Sequence, residues 1–262
     1  MILQVIKLIG EGHTVSWFIN SNTLTTWDGN IAQIWTIDGA EVQRYRFHKL
    51  YMISRNPKVD VIVLGGTMIK KKPKGYIINA GGEILDEVKP FVEWSLDGER
   101  LAGYTKNSDE DKILKIWRFS NFHLDEITEL KLKKSIKRVA WMVSTEHILV
   151  QYSNENKVHV IDLEKGKSAE TLTVKGELTQ FAPSPTDNIV AVGGSDGEVK
   201  LWELVAGKKG RFKRKETFKI NYKKPIERIK WCSPSHLLIN AGGEIHLLEI
   251  VSGETLQYGT GK

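Results

Sequence analysis

Short segments of alternating apolar and polar residues, each ending in turn residues, recur along the chain: VSWFIN, VEWSLDG, VAWMVS, TQFAPSP and IKWCSPS. Alternation with period two, bounded by turn residues, predicts β-strands. Aligned on Trp94, these segments set Trp17, Ile53, Trp94, Trp141, Phe181 and Trp231 in one column, at spacings of 36, 41, 47, 40 and 50 residues. A second set, IAQIWTI, ILKIWRF, KVHVIDL, EVKLWEL and EIHLLEI, places Trp35, Trp117, Ile161, Trp202 and Leu248 in another column, with room for a further member near Ile78. The two columns predict six units of about 43 residues. HLDEITELKLKKS has a helical reading of its own, but the repeat phase assigns it to an outer strand.

The word INAGGEI occurs at residues 78–84 and again at 239–245, a separation of 161 that does not fit the repeat. The phase predicts that the first copy turns from a third strand into an outer strand. The second turns from a second strand into a third.

Units of 40 to 45 residues with four strands each are the pattern of WD repeats. NIVAVGGSDGEVKLWEL, residues 188–204, resembles the closing half of such a repeat, and the first unit is similar, with Gly12-His13, Asp28-Gly29 and Trp35 in order. Asp111 and Asp196 each stand six residues before Trp117 and Trp202. Ile161 and Leu248 depart from the pattern where Trp is expected, and Gly242 stands where the turn Asp would be. The resemblance implies an all-β fold: a single β-propeller over residues 1–262, of about six four-stranded blades, with seven as the alternative. It also implies structural roles for His13, Asp28, Trp35, Asp111, Trp117, Asp196 and Trp202, with His13 hydrogen-bonded behind the Asp28 turn. Trp17, Trp94, Trp141 and Trp231 are expected to fill the spaces between blades. Trp27, outside both columns, is open to either packing or ligand stacking. Either ILQVIKL near the start or ETLQY near the end can supply the last outer strand.

Composition narrows the function. Hydrophobic residues make up 40% and charged residues 27% of 262, as in folded globular proteins. No apolar run approaches the roughly 18 residues of a membrane span, and MILQVIKLIGEGH does not read as a signal peptide. Cys232 is the only cysteine, which excludes an internal disulfide and points to the cytoplasm; packing is its expected role. The seven histidines are scattered without metal-ligand spacing. LGGT, AGGE and VGGSDG lack the ending of a phosphate-binding loop and read as turns. No nucleophile or acid–base pair stands out. The expectation is a non-catalytic protein with no cofactor, metal, small-molecule substrate or membrane.

The formal charge of +6 gains meaning from where the cations lie. Strand order in a propeller places KKKPK (Lys70, Lys71, Lys72, Lys74), KLKKSIKR (including Lys133, Lys134 and Arg138) and Tyr222-Lys223-Lys224 in loops that enter an inner strand or precede a third strand, all on one rim, the top, of the second, fourth and sixth units. IKRVAW and IERIKW share the pattern Ile-x-Arg-apolar-x-Trp, which sets Arg138 and Arg228 at equivalent places. Guanidinium groups there suit a carboxylate or a phosphate. Two functions follow: a scaffold that mediates protein–protein interactions by holding acidic segments of partners, or an RNA- or ribosome-associated protein that grips phosphates.

Overall fold

The computed structural model describes residues 14–17, 22–68, 71–106, 108–207 and 212–260. Its contacts divide the chain into two compact units, residues 1–131 and 132–262. Among the described residues every regular element is a β-strand, antiparallel to its neighbours.

The first unit holds a seven-stranded sheet in sequence order: β1 (Thr14–Trp17), β2 (Thr23–Trp27), β3 (Ile31–Thr36), β4 (Glu41–Arg55), β5 (Val61–Met68), β6 (Lys74–Asn79) and β7 (Ile84–Val88). A four-stranded sheet follows, β8 (Phe91–Trp94), β9 (Arg100–Tyr104), β10 (Ile113–Ser120) and β11 (His123–Lys131). HLDEITELKLKKS thus forms an outer strand, as its phase required.

The second unit holds three four-stranded sheets. They are β12 (Ile136–Trp141), β13 (His147–Tyr152), β14 (Lys157–Asp162) and β15 (Lys167–Thr173); β16 (Leu178–Pro183), β17 (Ile189–Gly194), β18 (Glu198–Ala206) and β19 (Phe212–Asn221); and β20 (Ile226–Ser233), β21 (His236–Ala241), β22 (Glu244–Glu249) and β23 (Thr255–Thr260). The ETLQY segment supplies the outer strand of the last sheet by pairing with β22. ILQVIKL lies outside the described residues.

Among the described residues five sheets stand where about six separate blades were expected. The reason is β4, which runs unbroken for 15 residues. Its first part pairs with β3, up to Arg46 opposite Ile31, and its remainder pairs with β5, from Phe47 opposite Met68. One strand therefore closes the first ladder and opens the second, and no turn separates them. Register shifts at Phe47/Lys49 and Leu50/Met52 bend it at the junction.

Both faces of these sheets are buried, and strand alternation sends neighbouring residues into different cores. Ile62 and Leu64 pack with Ala32, Ile34 and Tyr45, whereas Val61 and Val63 pack with Trp94, Leu101 and Trp117. In the second unit Val190 and Val192 join Leu149, Val160 and Phe181, while Ala191 joins Ile226, Ile229 and Leu237. Trp35, Trp94, Trp117, Trp141 and Trp202 are all buried, in keeping with a packing role. Trp27 is partly buried against the core of the seven-stranded sheet.

Two readings of the sequence need correction, and a third holds with an addition. Gly65 and Gly193 lie inside β5 and β17 and are not turns. A Cβ on Gly65 would stand 1.9 Å from the Pro90 carbonyl oxygen, and one on Gly193 would stand 2.7 Å from Ile226. Each glycine lets the next inner strand approach. Cys232 is exposed, because β20 turns Ile226 and Ile229 inward and a register shift between Trp231 and Ser233 follows. The two copies of INAGGEI do occupy different stations, and they also differ in form. Residues 80–83 make a four-residue loop with only Gly82 left-handed. Gly242 and Gly243 form a two-residue turn with both φ positive, between paired Ala241 and Glu244.

Leu101 is fully buried and Leu256 is 58% exposed on the outer strand β23. Leu101→Ala is therefore expected to cost about 2–5 kcal/mol, and Leu256→Ala no more than about 0.5 kcal/mol, in urea denaturation. Equal losses would contradict the burial pattern.

Candidate functional site: a basic rim

The inner strands β12, β16 and β20 share one irregularity. Pairing with the following strand slips between Ile136 and Arg138, between Leu178 and Gln180, and between Ile226 and Arg228. Each slip leaves one residue out of the ladder and re-aims the next. Arg138, Gln180 and Arg228 thus hold equivalent places at the starts of three strands, and β16 packs against both β12 and β20.

Arg138 is half-buried and donates from Nη1 to the Gln180 carbonyl Oε1 at 2.9 Å. Its guanidinium carbon lies 4.6 Å from the centre of the Phe181 ring, a cation–π contact that orients the fork. Arg228 is exposed, opposite Asn240 in the ladder. The sequence pattern found both arginines but missed Gln180. Alignment on aromatics had matched Phe181 to Trp141, yet relative to the slip Phe181 stands two residues earlier, level with Val139.

The turns that lead into these strands are held by a repeated backbone bond. The N–H of Ser153, Ser195 and Gly242 donates to the carbonyl of Ser135, Glu177 and Pro225, at 2.8, 2.8 and 3.0 Å. Two of the turns carry lysine pairs. Lys134 Nζ donates to Glu155 Oε1 at 2.5 Å, and Lys224 Nζ donates to Glu244 Oε1 at 2.6 Å. These lysines hold both carboxyls below their ordinary range, the hydrogen bond being the main cause in each. Histidines stand behind both carboxylates, with His159 Nε2 2.6 Å from Glu155 and His246 Nε2 3.6 Å from Glu244. Lys134 and Lys224 are thus each paired with a carboxylate of a neighbouring turn.

The neighbouring cations are different. Lys133, Lys223 and Arg228 are exposed, and among the described residues no carboxylate lies within ion-pairing distance of them. Lys223 adopts a left-handed backbone, φ 57°, with its N–H donating to Asn221 Oδ1 at 2.7 Å.

The first unit carries its own basic turn between β5 and β6. Lys74 pairs with Glu87, while Lys71 and Lys72 are exposed. Lys70 lies outside the described residues. Lys72 lies close enough to Glu110 to help hold its carboxyl down, behind the larger effect of a hydrogen bond from Lys89.

The repeat positions form the frame beneath. Asp28 Oδ1 accepts from the N–H groups of Asn30 and Ile31, and Asp196 Oδ1 accepts from Glu198 N–H. Asp111 N–H donates to the Ser108 carbonyl at 3.1 Å. Trp35 Nε1 donates to Thr26 Oγ1 at 2.9 Å. The buried Trp202 indole N–H has no acceptor, because Val192 takes the place that Thr26 has in the first unit. Trp117 packs its ring over Gly103. His13 lies outside the described residues.

No family model matches the chain. THO complex subunit 3 of Arabidopsis thaliana is 23% identical over 169 residues, 63% of this chain and 50% of the relative, so the chain spans about half the length of that curated relative. Among solved structures, the β-propeller domain of Cps50 (Swd1) from Myceliophteria thermophila matches with a TM-score of 0.69 at 11% identity, over 97% of this chain and 89% of that one. The chain has the β-propeller fold. A second solved propeller, Chaetomium thermophilum Sqt1 bound to the N-terminus of ribosomal protein L10, matches with a TM-score of 0.67 at 12% identity, over 92% and 73% of the two chains.

In this propeller, Glu198 anchors the turn between the two lysine-bearing ones. It is buried at the start of β18, where it accepts from Lys175 N–H at 2.9 Å and from Lys219 at 2.8 Å. Burial pushes its carboxyl up, but Lys219, the Lys175 amide and Lys200 together hold it below the ordinary 4.5. A carboxylate depressed on folding contributes stability above about pH 4.5, and that contribution is lost as the pH falls through the lower folded value. Glu198→Gln is therefore expected to lower the urea midpoint at pH 7, and the gap from the unmodified protein should narrow below pH 4.5. A gap of the same size at pH 7 and pH 3 would contradict the assignment.

Proposed function

We propose that this propeller is a non-catalytic scaffold, and that the basic rim of residues 132–262 holds an acidic segment of a partner protein. The observation that carries the reading is the repeated slip that turns Arg138, Gln180 and Arg228 to one station on three inner strands. Arginine forks and a side-chain amide suit a carboxylate, and the exposed Lys133 and Lys223 add charge that steers an acidic chain toward them. Sqt1, a propeller of similar fold, is seen bound to the N-terminus of another protein, and THO complex subunit 3 is by its name a component of a complex. Both are in keeping with a fold that works by holding other proteins. The first unit's Lys71 and Lys72 offer a separate basic patch to the same class of partner. The cytoplasm is the compartment we propose, from the single cysteine.

The test uses the whole chain, with a labelled Asp/Glu-rich peptide and a labelled single-stranded RNA of equal charge as probes in fluorescence anisotropy. Lys133→Glu, Lys223→Glu and Arg228→Glu made together are expected to weaken peptide binding by tenfold or more, about 1.4 kcal/mol, with the circular dichroism spectrum unchanged. Arg138→Gln alone is expected to weaken it less, since Lys133, Lys223 and Arg228 remain. Tighter binding of the RNA than of the peptide, lost in the same triple variant, would favour the RNA-associated role. Unchanged peptide binding would remove the rim as the site.

A further inference from the structure

The third-to-outer turns of the sheets offer an internal comparison. In the first repeat this turn has Gly39 at φ 91°, in the second Gly82 at φ 78°, in the fourth Gly166 at φ 61° and in the last Gly253 at φ 74°. The turn between β10 and β11 has no glycine. Ser120 pairs directly with His123, so Asn121 and Phe122 are a two-residue hairpin turn, with φ 50° and 61°. Asparagine is at home in such a turn, but its second position is ordinarily glycine, and a bulky aromatic there is held in an unfavourable backbone. An outlier of this kind, fixed by the ladder on both sides, is a pointer to function.

The strain has a visible result. Phe122 is 54% exposed, whereas the four third-to-outer turns above are longer loops with glycine at the left-handed position. Its ring meets Phe119 edge-on at 6.3 Å, and Phe119 is held in turn by Trp94 at 5.1 Å. Phe119, Phe122 and Val59 line a groove of about 550 Å³, large enough for an aromatic side chain, together with Lys58, Asp97 and Glu99. Both carboxylates are exposed, and Lys58 beside them makes an interaction of its own. The lining thus joins apolar side chains to two carboxylates and one ammonium group.

We propose that this groove is a second docking site, which takes a bulky apolar side chain of a partner peptide whose next residues are Lys or Arg, with Phe122 as one wall. It lies wholly within residues 58–122 and is independent of the basic rim, whose charge preference is the opposite. The Asp97 and Glu99 carboxylates, which outnumber the one lining cation, favour cationic residues after the anchor, and Phe122 adds an edge-to-face contact with an aromatic one.

Fluorescence polarisation of a labelled peptide carrying one tryptophan followed by two arginines tests this on the whole chain. Replacement of the tryptophan by alanine, or of the arginines by glutamates, is expected to weaken binding at least tenfold. Asp97→Asn with Glu99→Gln should weaken it about threefold, and more at low salt than at high. Phe122→Gly is expected to abolish saturable binding while raising Tm by about 2–4 °C, since glycine relieves the left-handed backbone. Phe122→Ala, which keeps a side chain, should lose binding with little change in Tm. A lower Tm for Phe122→Gly would make Phe122 a structural residue and overturn the proposal. So would equal binding by the unmodified chain and Phe122→Gly, or no binding of any peptide. Concentration-dependent self-association in sedimentation that disappears in Phe122→Gly would assign the groove to a second copy of the chain, and would also overturn it.

Discussion

Burial of both faces of each sheet is the constraint from which the rest of this structure follows. A four-stranded antiparallel sheet standing alone would leave one or both faces in water, and these strands are apolar on both. Ala191 between Val190 and Val192, and Val61 and Val63 on either side of Ile62, serve different cores from their immediate neighbours. Such strands are stable only as members of a stack, so each repeat depends on the next. Close stacking then dictates details that have nothing to do with function. Gly65 and Gly193 are small because Pro90 and Ile226 come within van der Waals contact of their backbones. The Trp231 indole, only partly buried, still reaches across to the carbonyl of Ala182 in the preceding sheet, at 3.0 Å.

With strand bodies committed to packing, chemistry is left to the strand ends and turns. The three slips in β12, β16 and β20 are a way around this limit. By leaving one residue out of the ladder, each turns a polar side chain out of the alternation without breaking the apolar pattern on either side of it. Arg138 can then lie on Phe181 and bond Gln180 while Val139 and Ala140 remain in the core. The lysine pairs show the same division of labour. One lysine of each pair is spent on a glutamate of the neighbouring turn, which gives the turn a fixed shape, and the other faces solvent.

What the sequence made legible was whatever obeys period two. Strands, the two aromatic columns and the outer-strand assignment of HLDEITELKLKKS all follow from alternation with large residues at one phase. What it hid were features that preserve alternation while changing register. Phe181 stands two residues away from its apparent equivalents, a shift that keeps the same face inward and so leaves no mark in the pattern. Gln180 was invisible for that reason. The fusion of the first two ladders through β4 was hidden because Tyr45, Phe47, Leu50 and Ile53 read as a continuous strand in either role. Glycine pairs were misread because close approach between sheets and turn formation ask for the same residue.

The left-handed residues separate these causes. At Gly197 and Gly242 the positive φ comes with close neighbours, Lys223 and Lys224, so glycine satisfies backbone and space together. Lys223 and Phe122 sit in the same backbone region although neither is glycine, and both are exposed. Neither is part of a core. A chain that stabilises itself through stacked sheets can carry such costs at its turns, because the opening of a hairpin tip does not expose the strands behind it. Strain at a turn is therefore informative here in a way that burial is not: core residues are explained by packing, whereas an unfavourable backbone that ends in an exposed cation or aromatic ring calls for something outside the chain to complete it.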